Sequence, residues 1–328
     1  MMHPRWIPHQ DQRARAALAQ ARYRLLDRLH AGTVSEVLRA NAVGIESFVR
    51  RCVVKRLWPG VAEIPELVER FAEQAKRTAQ LEHANVVKVL DLLRIDRRLS
   101  TVMELVAGKD LKAMMAYCRA TERPMPPVLA CFMVMQVADA LEHVHARGLI
   151  HGNLSPAHVL VSFEGEVKLT DFGFSCRPGH PVGTRLVVAR GQPGYRSPEQ
   201  QAGQPLDRRT DVFSLGVLMY ELFSGAPVFS VRADMQKLRE SGLVLAPPSA
   251  RNRGLPHELD PVAMTALAMD PRHRPQSAGE LAQGLEDFAL AAGRDCSREA
   301  LSAWMCNAFA EEFERMAYGF REFRAVSS

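Results

Sequence analysis

Residues 151–158 read His151-Gly152-Asn153-Leu154-Ser155-Pro156-Ala157-His158, and residues 171–173 read Asp171-Phe172-Gly173. Between them lie two short apolar runs, Val159 to Val161 and Val167 to Leu169, that predict a pair of short strands. A polar loop, a small hairpin and an acidic turn therefore follow one another. Upstream, Cys52-Val53-Val54-Lys55 is an apolar strand that ends in a lysine. Downstream come Ser197-Pro198-Glu199, then Asp211-Val212-Phe213-Ser214-Leu215-Gly216-Val217 at the start of a helical pattern. Arg274 follows, within Asp270-Pro271-Arg272-His273-Arg274-Pro275.

The chain around these motifs has 328 residues; at about 150 residues per domain this is two packed units or one two-lobed fold. With 47% hydrophobic and 24% charged residues, disordered and fibrous classes are excluded. The net charge of +5 is small for this length and forms no long basic run, which argues against nucleic acid as a partner. The six cysteines are scattered without a CxxC pair, the pattern expected of a reduced, cytoplasmic setting. The arginine-bearing start of the chain lacks the apolar core of a secretory signal. The longest apolar run, Val128 to Met135, is too short for a membrane span.

Periodicity divides the chain. From Tyr23 to Glu104, β-rich runs (Tyr23 to Leu29, Glu36 to Ala40, Arg51 to Leu57, Val86 to Leu93, Leu99 to Glu104) surround one helical stretch, Ile64 to Leu81. Beyond Asp110 the pattern is mostly helical: Pro127 to Arg147, Asp211 to Ser224, Val262 to Met269 and Ser277 to Leu290. The order and intervals of the motifs resemble the eukaryotic-like, Hanks-type serine/threonine protein kinases of bacteria, from about Tyr23 to Leu290. The resemblance implies an α+β, bilobal protein-kinase-like fold. Residues 1–22 form a basic tail and 23–290 the kinase-like domain, with an N-lobe over 23–104 and a C-lobe over 105–290; 291–328 form a helical extension. It also implies a nucleotide site: Gly32 and Val37 in the glycine-rich turn, Val53 and Lys55 on the following strand, Met103, Glu104 and Val106 along the hinge, with Asp110, Leu160 and Asp171 beyond it. Asp171 would carry one magnesium ion.

Phosphoryl transfer is mostly positioning and charge stabilisation, and this chain departs from the family at the groups that supply both. Asn153 stands at the catalytic aspartate position, and a neutral amide orients a hydroxyl without taking its proton; general-base help is worth about 10²- to 10⁴-fold in rate. Ser155 replaces the lysine that steadies the phosphoryl group. His158 replaces the asparagine ligand of a second magnesium, a hard cation that prefers oxygen. Gln74 falls where a glutamate would pair with Lys55. Gly152 replaces the arginine that answers an activation-loop phosphate, and Gln192 the threonine before Pro193-Gly194-Tyr195. The glycine-rich turn keeps only Gly32, with side chains at His30 and Ser35.

His151, Phe172, Gly173, Glu199, Asp211 and Arg274 are retained, and the resemblance assigns them structural roles: Glu199 and Arg274 as a buried ion pair, Asp211 as a brace for the loop backbone, His151 as a packing residue. His143 and His145 lie about 200° apart around a helix, so zinc is not expected. Ser175 and Thr184 read as solvated loop residues. In the extension, Leu301, Trp304, Met305, Phe309, Phe313, Met316, Phe320 and Phe323 recur at three- and four-residue steps. This predicts an amphipathic helix or helix pair docked on its own C-lobe, with part of the stripe left for a partner.

The sequence thus points to a pseudokinase, a kinase-fold signalling module that binds other signalling proteins, such as an active kinase or its substrate, and takes ATP or ADP weakly. The alternative is a weakly active serine/threonine kinase that moves the γ-phosphate of ATP to protein hydroxyls.

Overall fold

The computed structural model describes residues 22–44, 48–172, 193–228, 245–293 and 296–316. Gly173, Ser175, Thr184, Gln192, Phe320, Phe323 and the basic tail up to residue 21 lie outside these. The chain divides into two compact units, the smaller holding described residues up to 82 and 87–105, the larger holding 83–86 and 106–316.

In the smaller unit five antiparallel strands run in the order β1-β2-β3-β5-β4: β1 Tyr23–Ala31, β2 Ser35–Val43, β3 Val49–Leu57, β4 Val89–Ile95 and β5 Arg98–Glu104. Alternation sends Tyr23, Ala40, Cys52, Val54, Ile95 and Val102 into one core. The register puts Lys55 opposite Val37 on β2 and Thr101 on β5, and Val53 opposite Met103. Helix α1, Pro65–Thr78, starts on a proline whose missing N–H costs nothing at that position. It buries Phe71, Ala75 and Thr78, one stripe at four- and three-residue steps, against β4 and β5.

The larger unit starts with a small sheet, β6 Gly108–Asp110, β7 Val159–Ser162 and β8 Val167–Leu169. Gly108 is required there, since a Cβ would meet the Val161 carbonyl oxygen at 1.8 Å. Helix α2, Leu111–Ala120, is absent from the sequence reading; Asp110 caps it, accepting from the Ala113 N–H at 2.7 Å. Helix α3, Pro127–His145, has the length and mean hydropathy, 1.3, of a membrane-crossing helix. Eleven of its side chains are buried in this unit, where it packs on β8 and on later helices. After the four-residue α4, Pro198–Gln201, helix α5, Arg209–Ser224, is buried from Thr210 to Ser224 on every face, as a helix with little amphipathic contrast must be. Helices α6, Leu259–Ala266, and α7, Ala278–Ala292, close around α5 and α3.

Residues 83–86 leave the smaller unit for the larger. The Asn85 side-chain amide donates to Gln136 Oε1 at 2.9 Å and to the Val167 carbonyl at 2.8 Å, while its own carbonyl accepts from Leu169 N–H at 2.7 Å. Val86 bridges Leu169. The His83 ring lies 4.6 Å from that of His143, with Nε2 3.4 Å from Asp139.

The extension is a helix pair rather than one rod. Helix α8, Arg298–Ala308, is capped by Ser297; the chain breaks at Phe309 (φ −125°, ψ 44°) and is helical again over 310–316. Leu301, Met305 and Phe309 are buried against the larger unit. Ser302 Oγ donates to the Phe163 carbonyl at 2.7 Å, Arg298 Nε to the Glu164 carbonyl at 2.8 Å, and Lys109 pairs with Glu312 at 2.9 Å. Tyr117 packs on Trp304 and Phe309. At Gly165, where φ is +78°, a Cβ would stand 2.1 Å from the Arg298 carbonyl oxygen, so the turn before β8 is shaped to the approaching chain.

Candidate functional site

The loop 151–158 is held from behind by one carboxylate. Asp211, fully buried at the start of α5, accepts from His151 N–H at 2.8 Å (Oδ2), Gly152 N–H at 2.8 Å (Oδ1) and His145 Nε2 at 2.8 Å (Oδ2). Burial alone would raise its pKa; the bonds and charge of His145, then His151 and Gly152, win and hold it below the usual carboxylate range. The sequence reading missed His145. Its place two positions from His143 sets it on another helix face, and an apolar surround would have pointed to a buried partner.

His151 is also fully buried. Its Nδ1 accepts from Asn153 N–H at 3.1 Å and its Nε2–H donates to the Thr170 carbonyl at 3.1 Å, a division of roles that the neutral ring satisfies completely. Burial pulls its pKa down to about 4. Its ring packs on buried Phe172, centroids 4.8 Å apart. Gly152 has φ +67°, a conformation that suits glycine.

In front of this brace the polar groups close on one another. His158 Nδ1 donates to the Asn153 carbonyl at 2.7 Å and lies 3.2 Å from buried Ser155 Oγ. Its Nε2 is 3.4 Å from Asp171 Oδ2. Asp171 itself sits at φ +61°, a left-handed conformation that asparagine and aspartate tolerate best among residues with a Cβ. The lower edge is tied by Arg274, whose guanidinium forks onto Glu199 at 2.7 and 2.9 Å inside the fold and lies over the Phe213 ring. Glu199 also accepts from Thr210 Oγ1 at 2.8 Å. Burial works against this carboxylate, yet the Arg274 bonds and charge keep its pKa low. Gln200 donates to the Gly152 carbonyl at 2.8 Å, linking α4 to the loop.

The sequence matches the protein kinase domain family over residues 23–284. It is 35% identical over 271 residues to the serine/threonine-protein kinase PknB of Mycobacterium tuberculosis, covering 79% of this chain and 42% of that protein. It is 29% identical over 301 residues to the tyrosine-protein kinase MasK of Myxococcus xanthus, covering 88% and 46%. The chain thus spans less than half the length of these curated relatives. The kinase domain of PknI from Mycobacterium tuberculosis superposes with a TM-score of 0.61 at 28% identity, over 81% of this chain and 96% of that one. The chain belongs to the protein kinase family.

Set against that family, the retained residues are those that hold the C-lobe together. Of the positions read from sequence as exchanged, His158 bonds the Asn153 backbone carbonyl and lies beside the Ser155 hydroxyl. The family uses magnesium, and the C-lobe donors do not fit a pair of such ions: Asp171 supplies one carboxylate, and the second ligand position presents an imidazole nitrogen to that carboxylate where a hard cation wants oxygen. Among the described residues no group of three His, Cys, Asp or Glu could hold a metal. Asp110, expected at the nucleotide, commits Oδ1 to the α2 cap; Leu160 stands opposite Lys168 on the β7–β8 hairpin and Val106 opens the larger unit.

The N-lobe kinase residues form their own set. Gly32 at the β1–β2 turn donates its N–H to the Ser35 carbonyl at 2.9 Å and accepts the Trp58 indole N–H at 2.8 Å on its carbonyl. Next to it Glu36, buried, is clamped by Arg56 at 2.8 Å and Arg98 at 3.0 Å. Trp58 and Glu36 were not singled out from sequence, because only the folded hairpin brings β3 and β5 to the turn. Val37, Val53 and Lys55 line up across β2 and β3. Glu104 accepts the Lys88 N–H on its side chain at 2.8 Å. Gln74 lies on α1, where its carbonyl takes the Thr78 hydroxyl.

Proposed function

We propose that this kinase-family chain is a pseudokinase: a signalling module that engages partner proteins, an active kinase or a kinase substrate, without transferring phosphate. One observation carries the reading. His158 Nδ1 bonds the Asn153 backbone carbonyl beside the buried Ser155 hydroxyl, and its Nε2 stands 3.4 Å from the Asp171 carboxylate, so an imidazole fills the place of the family's metal-binding amide, and no base stands at 153, where the family takes a hydroxyl proton. Nucleotide binds weakly in this proposal, ATP and ADP alike, and with little dependence on magnesium, because a single aspartate is left as a hard ligand. The proposed setting is the cytoplasm. The test is incubation with γ-labelled ATP and magnesium, alone and with basic protein substrates. No label on the chain or on substrate is expected. Incorporation that Lys55→Ala abolishes would establish the second reading, a weakly active serine/threonine kinase. That reading draws its support from the intact Asp211 and Glu199–Arg274 frame and from the presence of Lys55 and Asp171.

A further inference from the structure

Two cysteines unrelated to the kinase motifs lie where the extension joins the C-lobe. Cys296 immediately precedes the Ser297 cap of α8, and its Sγ lies 3.6 Å from the Val128 carbonyl oxygen in the first turn of α3. A helix carbonyl points along the axis at the N–H four residues on, and side chains tilt back toward the N-terminus, so that of Cys131, three positions beyond Val128, shares its face. Cys131 is fully buried and Cys296 half-buried. Both are reduced.

We propose that Cys131 and Cys296 form a redox site at which a peroxide closes a disulfide, fastening the extension to α3. Peroxide oxidises Cys296, the less buried of the two: the O–O bond breaks, an S–O bond forms, and one water leaves with a sulfenic acid on sulfur. Cys131 then attacks that sulfur; an S–S bond forms, the S–O bond breaks, and hydroxide departs with the Cys131 proton as a second water. Two thiols and one peroxide become one disulfide and two waters, and the two electrons lost by sulfur are those gained by the peroxide. The nearness of the pair also shows in the Cys131 thiol, which burial and then the neighbouring Cys296 push up to about 12. At rest it is therefore a protonated thiol, and the disulfide awaits an oxidant. In a reducing compartment such a bond is transient, the usual form of an intracellular disulfide.

The experiment treats the full chain with hydrogen peroxide, blocks remaining thiols with N-ethylmaleimide, digests, and maps peptides by mass spectrometry. The expected product joins the Cys131 and Cys296 peptides, is lighter by two hydrogens, disappears with dithiothreitol, and is missing from both Cys296→Ser and Cys131→Ser. Amide exchange over 298–308 should slow by about tenfold in the oxidised protein. Recovery of the two cysteines as separate blocked or over-oxidised peptides would overturn the proposal. So would cross-linking no faster in the folded chain than in urea, and unchanged exchange in the cross-linked extension would overturn the fastening.

Discussion

At residue scale, the loop shows how one side chain can reorganise a site. His158 reaches the Asn153 carbonyl and the Asp171 carboxylate with its two nitrogens, so restoring a base at 153 leaves the imidazole in place. Asn153→Asp is therefore expected to give no phosphate transfer above background in the labelled-ATP assay; recovery of activity by this change alone would contradict the role given to His158. His151 yields a pH prediction. Its folded pKa of about 4 lies below the ordinary 6.5 or so of an unfolded histidine, so between these values the unfolded chain binds the extra proton. Its contribution is complete above the unfolded value and is lost as pH falls toward 4, a slope worth about 3 kcal/mol across that window. Urea titrations at pH 7 and pH 5 should show the loss, and His151→Gln should flatten this part of the profile; an unchanged slope in the variant would rule out His151 as its source. Asn153, Ser155 and His158 were readable as exchanged residues because each stands at a fixed interval in its motif. Their mutual bonding was not, since it depends on a rotamer and on backbone carbonyls that no residue identity reveals.

At the scale of elements, the Glu199–Arg274 pair joins the start of α4 to the turn before α7. Removing one partner leaves a buried charge, a loss of about 3–5 kcal/mol. Arg274→Ala should therefore shift the urea midpoint strongly downward, and a shift no larger than that of an exposed arginine variant would refute the buried-pair account. For the extension, Leu301→Ala should cost about 2–5 kcal/mol if α8 is part of the core, whereas a free helix would show almost none; circular dichroism melts distinguish the two. Strands β1, β3 and β5 and helices α3, α5 and α7 were legible within a few residues, since their apolar spacing is long and regular. Helix α2 was missed although its cap, Asp110, was in view, because that aspartate had been assigned to the nucleotide. The three-residue β6 is shorter than any pattern. The break at Phe309 turns on which aromatic side chains find a seat on Tyr117 and Phe163, knowledge that requires the other surface.

On the scale of the whole molecule, nucleotide binding can be read as stability. A ligand that binds the native state at a hundred times its dissociation constant adds about 2.7 kcal/mol. Millimolar ATP should raise the melting temperature only slightly, and by the same amount with magnesium or with EDTA; a large increment seen only with magnesium would overturn the reading of the C-lobe donors.

The passage of residues 83–86 into the larger unit has a consequence for synthesis. Asn85 leaves the ribosome with its amide unmatched; one acceptor, Gln136, follows 51 residues later and the other, the Val167 carbonyl, 82 residues later. At about 5–20 residues per second, the amide waits roughly 4 to 16 s for its second acceptor. Strands β4 and β5 can pair in that interval, but the connection leading into them gains its last anchors only when the β7–β8 hairpin has emerged. A slowed ribosome over residues 105–167 would lengthen that vulnerable window for the peptide bonds around His83, and nascent-chain proteolysis would find its first cuts there.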